Sequence, residues 1–103
     1  MLGFLKKLFG GSSVNYNELV NNGAIIIDVR SAGEYKSGHI SGSKNYPLDI
    51  IRTKVTELKK LNKPVITVCR SGARSGVAKG ILKSAGIEAY NGGAWDSLKN
   101  KIA

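Results

Sequence analysis

One short stretch of the 103-residue chain combines a thiol with two guanidinium groups. Cys69 ends an apolar run, and it is followed by small and polar residues: Arg70, Ser71, Gly72, Ala73, Arg74 and Ser75. The backbone N–H groups of such a loop can surround a sulfur atom, and the N-terminus of a following helix adds partial positive charge. Together with the two arginines they favour thiolate over thiol, so the stretch predicts a nucleophilic cysteine. An inert thiol that closes a strand is the alternative.

Short apolar runs and helical segments alternate in the chain around this cysteine. Strands are predicted for residues 24–29, 65–68 and 87–90, with a brief extended piece at 45–47 and a turn at 91–93. Helices are predicted from Asn15 or Asn17 to Val20, over 50–58, from Ser75 to Ala85, and over 95–102. This alternation predicts an α/β fold, in which helices sandwich a parallel sheet and ligands bind at the carboxyl ends of the strands.

Several helix starts and stops carry their own sequence signals. Ser31 and Glu34 have the spacing of a capping box, which predicts a short helix that ends at Gly38. Asp49 is the predicted N-cap of the helix over 50–58, and Ser75 is the predicted N-cap of the helix after the cysteine loop. The predicted helix start places the backbone amides of the loop close to Cys69.

Five motifs occur in a fixed order between Val14 and Leu98. They are Ile27-Asp28-Val29-Arg30, Glu34-Tyr35, the run from Gly38 to Pro47, the run from Cys69 to Ser75, and Gly92-Gly93 with Trp95. In order and spacing they resemble the rhodanese family of sulfurtransferases. The resemblance implies a three-layer α/β sandwich, with a central parallel sheet of about five strands flanked by helices.

The same resemblance implies a reaction and its partners. Cys69 would take the outer sulfur of thiosulfate or a similar donor as a persulfide, cradled by residues 70–75, and pass it to cyanide, a thiol or an acceptor protein. Arg70 and Arg74 would attract the anionic donor and its leaving group. No cofactor and no metal are expected. The alternative is a rhodanese-like binding or redox-sensing module without efficient turnover.

Loop length separates this chain from the cysteine phosphatases, which hold phosphate with a Cys-x5-Arg loop. Here the position of that arginine is occupied by Ser75, and Arg74 comes one residue earlier. The loop is one residue short for a phosphoryl group and better sized for a sulfur atom.

Three further residues are expected to support the loop rather than to react. His39, the single histidine, matches a family position that braces the loop through hydrogen bonds, and a thiolate that is already formed needs no general base. Asp28 and Arg30 follow a buried strand, where they can pair with each other or with the backbone. Trp95 is expected to pack in the core or at the rim of the site.

Composition excludes several classes of protein. A single cysteine excludes an intramolecular disulfide, and one cysteine with one histidine excludes a Cys/His zinc cluster. No apolar run approaches the roughly 18 residues of a membrane span. The net charge of +9 suits nucleic acid, an acidic membrane or small anions. Because nucleic-acid-binding motifs and interleaved aromatic residues are missing, we expect small anions as ligands. A cytoplasmic location is expected as well.

Residues 1–13 differ from the domain predicted for residues 14–103. Residues 1–11 place apolar side chains at helical spacing beside Lys6 and Lys7, and residues 10–13 are small residues typical of a flexible joint. One interpretation is a short amphipathic segment that contacts the inner face of an anionic membrane. The other is a lead-in that docks on the domain itself.

Overall fold

The computed structural model describes residues 14–103 as a parallel sheet flanked by helices. The strands are β1 (Ile25–Asp28), β2 (Lys44–Asn45), β3 (Val65–Cys69) and β4 (Ala89–Ala94), in the order β2-β1-β3-β4. The helices are α1 (Tyr16–Asn21), α2 (Ala32–Ser37), α3 (Val55–Leu61), α4 (Ala73–Ser84) and α5 (Trp95–Ile102), with a 3-10 helix over Leu48–Lys54. The predicted α/β class is confirmed.

The strand count differs from the expectation of about five. The described residues contain four strands, and the segment just ahead of β1 forms helix α1, as its sequence predicts. Asn15 begins that helix by accepting a hydrogen bond from the Glu18 amide at 3.0 Å. Of the two asparagines predicted as its N-cap, the structure selects Asn15.

Each face of the sheet carries its own apolar core, because successive strand residues point to opposite faces. On one face Ile27, Val65 and Cys69 pack with side chains from the 3-10 helix, α3 and α4. On the other face Ile26, Ile66 and Val68 pack with α1 and α5. The strands are therefore covered on both sides, as their continuous apolar runs predict.

Two predicted elements away from the cysteine loop differ from the structure. The helix predicted from Asp49 is a 3-10 helix with no side-chain cap, followed by α3, in keeping with the low helix propensity of its β-branched residues. The turn predicted for residues 91–93 is part of β4. There Gly92 forms a bulge, since the register passes from Thr67 opposite Asn91 to Val68 opposite Gly93.

Two predictions concern the first 13 residues, which lie outside the described residues. The amphipathic segment over 1–11 and the domain boundary at residue 14 therefore stay predictions. Within residues 14–103, no helix is long and apolar enough to cross a membrane.

Candidate active site

Cys69 is the last residue of β3, at the carboxyl end of the parallel sheet. Its side chain is only 1% exposed. A loop of three residues, 70–72, leads from it directly into α4. The strand end and the start of the helix therefore hold the thiol between them.

Two groups of the following turn contact the sulfur atom. The Gly72 amide donates a hydrogen bond to Cys69 Sγ at 2.9 Å, and Ser75 Oγ lies 3.3 Å from the same sulfur. Gly72 is the N-cap of α4 with a φ of 103°, a left-handed conformation that favours glycine. No side chain caps this helix, so the sulfur takes the place of the usual oxygen acceptor at its N-terminus.

These contacts act on the acidity of the thiol. Burial raises the pKa of Cys69, because it removes solvent from the charged form. The Ser75 hydroxyl beside the sulfur and hydrogen bonds from the amides of Ser75, Gly72 and Ser71 lower it by more, so the net pKa of Cys69 lies below the usual 9.0. The surroundings therefore stabilise a thiolate, the form that acts as a nucleophile.

Ser75 is not the N-cap that the sequence predicts, because α4 begins earlier, at Ala73. It is a buried residue of the first helical turn. Its carbonyl accepts a hydrogen bond from Thr67 Oγ1 at 2.8 Å, and its hydroxyl donates to Asn91 Oδ1 at 2.6 Å. Because α4 begins before Ser75, the Ser75 hydroxyl does not cap the helix and lies beside the sulfur instead.

Asn91 belongs to the site, although its sequence context predicted only a turn. Its Nδ2 donates to the Gly72 carbonyl at 3.0 Å, and its Oδ1 accepts from the Gly93 amide at 3.0 Å. The side chain thus connects β4 to the loop around Cys69. The register of β4 against β3 creates these contacts, and the local Asn-Gly-Gly pattern gives no signal of them.

The two arginines of the loop have different surroundings. Arg74 forms an ion pair with Glu34 of α2, with Nη1 and Oε1 2.8 Å apart. Arg70 is exposed, and no ion pair joins it to another of residues 14–103. Ser71 and Ala73 are exposed as well. Among residues 14–103, no carboxylate forms an ion pair with Arg70, so its positive charge is available to an incoming anion.

Asp28 and Arg30 form a buried ion pair at the end of β1. Arg30 Nη2 and Asp28 Oδ2 are 2.7 Å apart, and both side chains are at most 5% exposed. Arg30 also donates to the Gly38 carbonyl at 2.7 Å and lies 4.7 Å from the centre of the Trp95 ring. The pair connects three segments of the chain around the carboxyl end of the sheet.

His39 lies on the surface after α2. Its Nδ1 is 2.8 Å from the Tyr35 carbonyl oxygen, and its ring stacks on the Tyr35 ring with centres 3.8 Å apart. Both contacts hold the loop after α2 against the helix. For a metal ion, residues 14–103 offer no group of three or more His, Cys, Asp or Glu side chains.

Comparison with known proteins identifies the family to which this chain belongs. The model of the rhodanese-like domain matches residues 13–98. An uncharacterized Bacillus subtilis protein, YqhL, is 39% identical over 69 residues, which are 66% of this chain and 54% of that protein. The chain thus spans about half the length of this relative.

Two further similar proteins have a more informative name or a solved structure. The thiosulfate sulfurtransferase GlpE of Ectopseudomonas mendocina is 33% identical over 75 residues, which cover 72% of this chain and 68% of that protein. The crystal structure of a rhodanese-related protein from Thermoplasma volcanium is 28% identical, with a TM-score of 0.71 over 86% of this chain and 91% of that one. With a family model that matches most of its length, this chain belongs to the family of rhodanese-like domains.

Proposed function

We propose that the protein is a sulfurtransferase that carries a sulfane sulfur as a persulfide on Cys69. The observation that carries the proposal is the hydrogen bond of 2.9 Å from the Gly72 amide to Cys69 Sγ, with the Ser75 hydroxyl beside it. The amide stabilises an anion on sulfur without any general base, and the hydroxyl does the same when its proton turns to the sulfur. The name of the similar Ectopseudomonas mendocina protein, a thiosulfate sulfurtransferase, supports thiosulfate as the donor.

The proposed reaction has two displacement steps. In the first, the Cys69 thiolate attacks the outer sulfur of thiosulfate, a new S–S bond forms, and sulfite leaves with the electron pair of the broken S–S bond. In the second, a nucleophile attacks the outer sulfur of the Cys69 persulfide and the thiolate leaves. Cyanide gives thiocyanate in this step, and a thiolate gives a new persulfide.

The residues around Cys69 have proposed roles that follow from their contacts. The amides of Ser71, Gly72 and Ser75 stabilise the thiolate and then the persulfide. Exposed Arg70 attracts the anionic donor, whereas Arg74 adds positive charge from a position fixed by Glu34.

Three residues farther from the sulfur have a bracing role in this proposal. The Asp28–Arg30 ion pair supports the loop after β1, and His39 braces the segment that follows α2 through its contacts with Tyr35. None of the three exchanges a proton with the substrate.

The decisive experiment weighs the intact protein after incubation with thiosulfate. We expect a gain of one sulfur atom, which cyanide removes and which Cys69→Ser does not acquire. Ser71→Ala is the matched control, since it alters an exposed residue of the same loop and leaves its backbone amide in place. If neither thiosulfate nor an inorganic polysulfide adds sulfur to the wild-type protein, the sulfurtransferase proposal fails and the binding or redox-sensing module takes its place.

A cytoplasmic location is part of the proposal. Its support is chemical, because the proposed reaction starts from a reduced Cys69, and thiols are kept reduced in the cytosol. Cell fractionation tests it. Recovery of the full chain in the membrane fraction, and its loss from that fraction after deletion of residues 1–11, would instead favour the membrane interpretation of the N-terminal segment.

A further inference from the structure

The Ser75 hydroxyl has one proton and two acceptors within reach. Asn91 Oδ1 lies 2.6 Å from Ser75 Oγ, and Cys69 Sγ lies 3.3 Å from it. A hydroxyl donates a single hydrogen bond and accepts others, so it serves one of these two atoms at a time. The distances show that the amide oxygen receives the proton in this structure.

The orientation of the Asn91 amide is fixed by two backbone groups. Its NH2 group donates to the Gly72 carbonyl, and its oxygen accepts from the Gly93 amide. In a flipped amide, the side-chain oxygen would face the Gly72 carbonyl oxygen, and the side-chain NH2 group would face the Gly93 amide, so neither hydrogen bond could form. The oxygen therefore faces Ser75, and because it cannot donate, the short contact uses the Ser75 proton.

The direction in which the Ser75 hydroxyl donates its proton determines which ionisation state of Cys69 is favoured. When Ser75 donates to Asn91, its oxygen is left as an acceptor, which suits a protonated Cys69 that donates S–H to it. A thiolate or persulfide has no proton to give and needs the Ser75 hydroxyl to turn toward sulfur. We propose that Asn91 is a positioning residue that competes with Cys69 for the Ser75 proton, and so controls when Ser75 stabilises an anion on sulfur.

Loss of the Asn91 side chain should free Ser75 and leave the loop in place. The Gly72 carbonyl, which Asn91 contacts, also accepts the first hydrogen bond of α4 from the Gly76 amide at 3.0 Å. Gly72 therefore stays fixed by the helix, and its own amide stays directed at the sulfur. The carbonyl of Ser75 is held separately by Thr67.

Other charged groups surround the thiol and do not change between the variants. Arg70 and Arg74 lie on its own loop and helix, and Glu34 neutralises Arg74 from α2. The Asp28–Arg30 pair lies at the end of β1, the strand that pairs with β3. His39 lies on the surface after α2. All of them are present in every variant, so their effects cancel in the comparison.

The test measures the ionisation of Cys69 in Asn91→Ala and Asn91→Leu, each with Ser75 intact and with Ser75→Ala. Thiolate absorbance in the ultraviolet and the rate of alkylation by iodoacetamide are followed against pH. With Ser75 intact, we expect the midpoint to move to lower pH, with an increase of about three- to tenfold in the thiolate-to-thiol ratio at fixed pH, the worth of one hydrogen bond. In the Ser75→Ala background, we expect no shift.

Two controls separate this inference from a structural role of Asn91. Circular dichroism identifies any variant that fails to fold, and Asn91→Leu, which keeps the branched shape of the asparagine side chain, is read if Asn91→Ala does not fold. Asn91→Asp keeps the acceptor and adds a negative charge, so its midpoint should move to higher pH. A rise of the midpoint in both Asn91→Ala and Asn91→Leu, or an equal fall without the Ser75 hydroxyl, would overturn the proposal.

The inference rests on the proposed function only for its use in catalysis. Ionisation is measured on the thiol, whereas sulfur uptake is measured by the mass of the wild-type protein. If the wild-type protein takes up no sulfur and the midpoints shift as expected, the sulfurtransferase proposal fails and Asn91 still governs the thiol. If sulfur is taken up and the midpoints do not move, the role of Asn91 is refuted alone.

Discussion

Arg74 and Glu34, 40 positions apart in the sequence, form a two-pronged ion pair at the edge of the cysteine loop. The Nη1–Oε1 distance is 2.8 Å and the Nη2–Oε2 distance is 3.0 Å. Glu34 also accepts from the Ser31 amide at 3.1 Å, because as the third residue of α2 it belongs to the capping box that begins this helix. One carboxylate thus fixes both the start of α2 and the second arginine of the loop.

The first prediction concerns the pH dependence of folding stability. Hydrogen bonds from Arg74, and then from the Ser31 amide, lower the pKa of Glu34 from 4.5 to about 2. A lowered folded-state pKa contributes stability that is complete above the unfolded value and is lost as the pH falls through the folded value. The melting temperature of the wild-type protein should therefore fall more steeply between pH 4.5 and about 2 than that of Glu34→Gln.

A matched variant controls for the loss of one carboxylate. Glu18→Gln changes the same helix position of α1, and Glu18 forms no ion pair within residues 14–103. Its melting temperature should follow that of the wild-type protein over this pH range. Parallel curves for wild type and Glu34→Gln would show that the Arg74–Glu34 pair contributes nothing to stability.

The second prediction concerns the buried ion pair at the end of β1. Asp28→Asn removes the charge that balances Arg30, whose side chain is 5% exposed. An uncompensated buried charge costs about 3–5 kcal/mol, so urea unfolding should show a loss of that order. Asp96→Asn, at an exposed first-turn position of α5, should cost less than about 1 kcal/mol. Equal losses in the two variants would contradict the argument.

The parts of the molecule that the sequence predicts are those in which neighbouring residues decide the outcome. The β-branched runs predict β1 and β3, the Ser31–Glu34 spacing predicts the capping box, and both are confirmed. The position of Cys69 at a strand end follows in the same way, because the apolar run stops there. Local pattern is sufficient where an apolar run or a cap within a few residues decides the type of element.

The missed features depend on contacts between distant residues. Ser75 and Asn91 are 16 positions apart, and they meet only because β4 continues past the predicted turn. An alanine Cβ at Gly92 would lie 2.8 Å from Ile66 Cγ2, so glycine here permits a close approach within the sheet, whereas its local sequence suggests a turn. Such contacts follow from strand register, which no short motif specifies.

The third prediction concerns the backbone of the cysteine loop. Gly72→Ala places a side chain on a residue with a φ of 103°, which costs about 1–3 kcal/mol. Because the Gly72 amide contacts Cys69 Sγ, relaxation of this strain should also slow alkylation of Cys69 at neutral pH. Gly33→Ala is the control, since a Cβ there meets nothing within 4 Å and the residue lies in α2. Unchanged stability and alkylation in Gly72→Ala would show that the loop does not need glycine.

The last prediction tests the proposed role of Arg70 in attracting an anionic sulfur donor. Arg70 follows Cys69 directly and is exposed, so Arg70→Ala should raise the KM for thiosulfate about threefold to tenfold, on the order of 1 kcal/mol for one charge near solvent. The maximum rate should change less, and added salt should reduce the difference from the wild type. Lys63→Ala removes the same charge next to Pro64, at the opposite end of β3, and should leave the KM close to the wild-type value. If both variants raise the KM equally, the general positive charge of the protein attracts the donor and Arg70 has no special role.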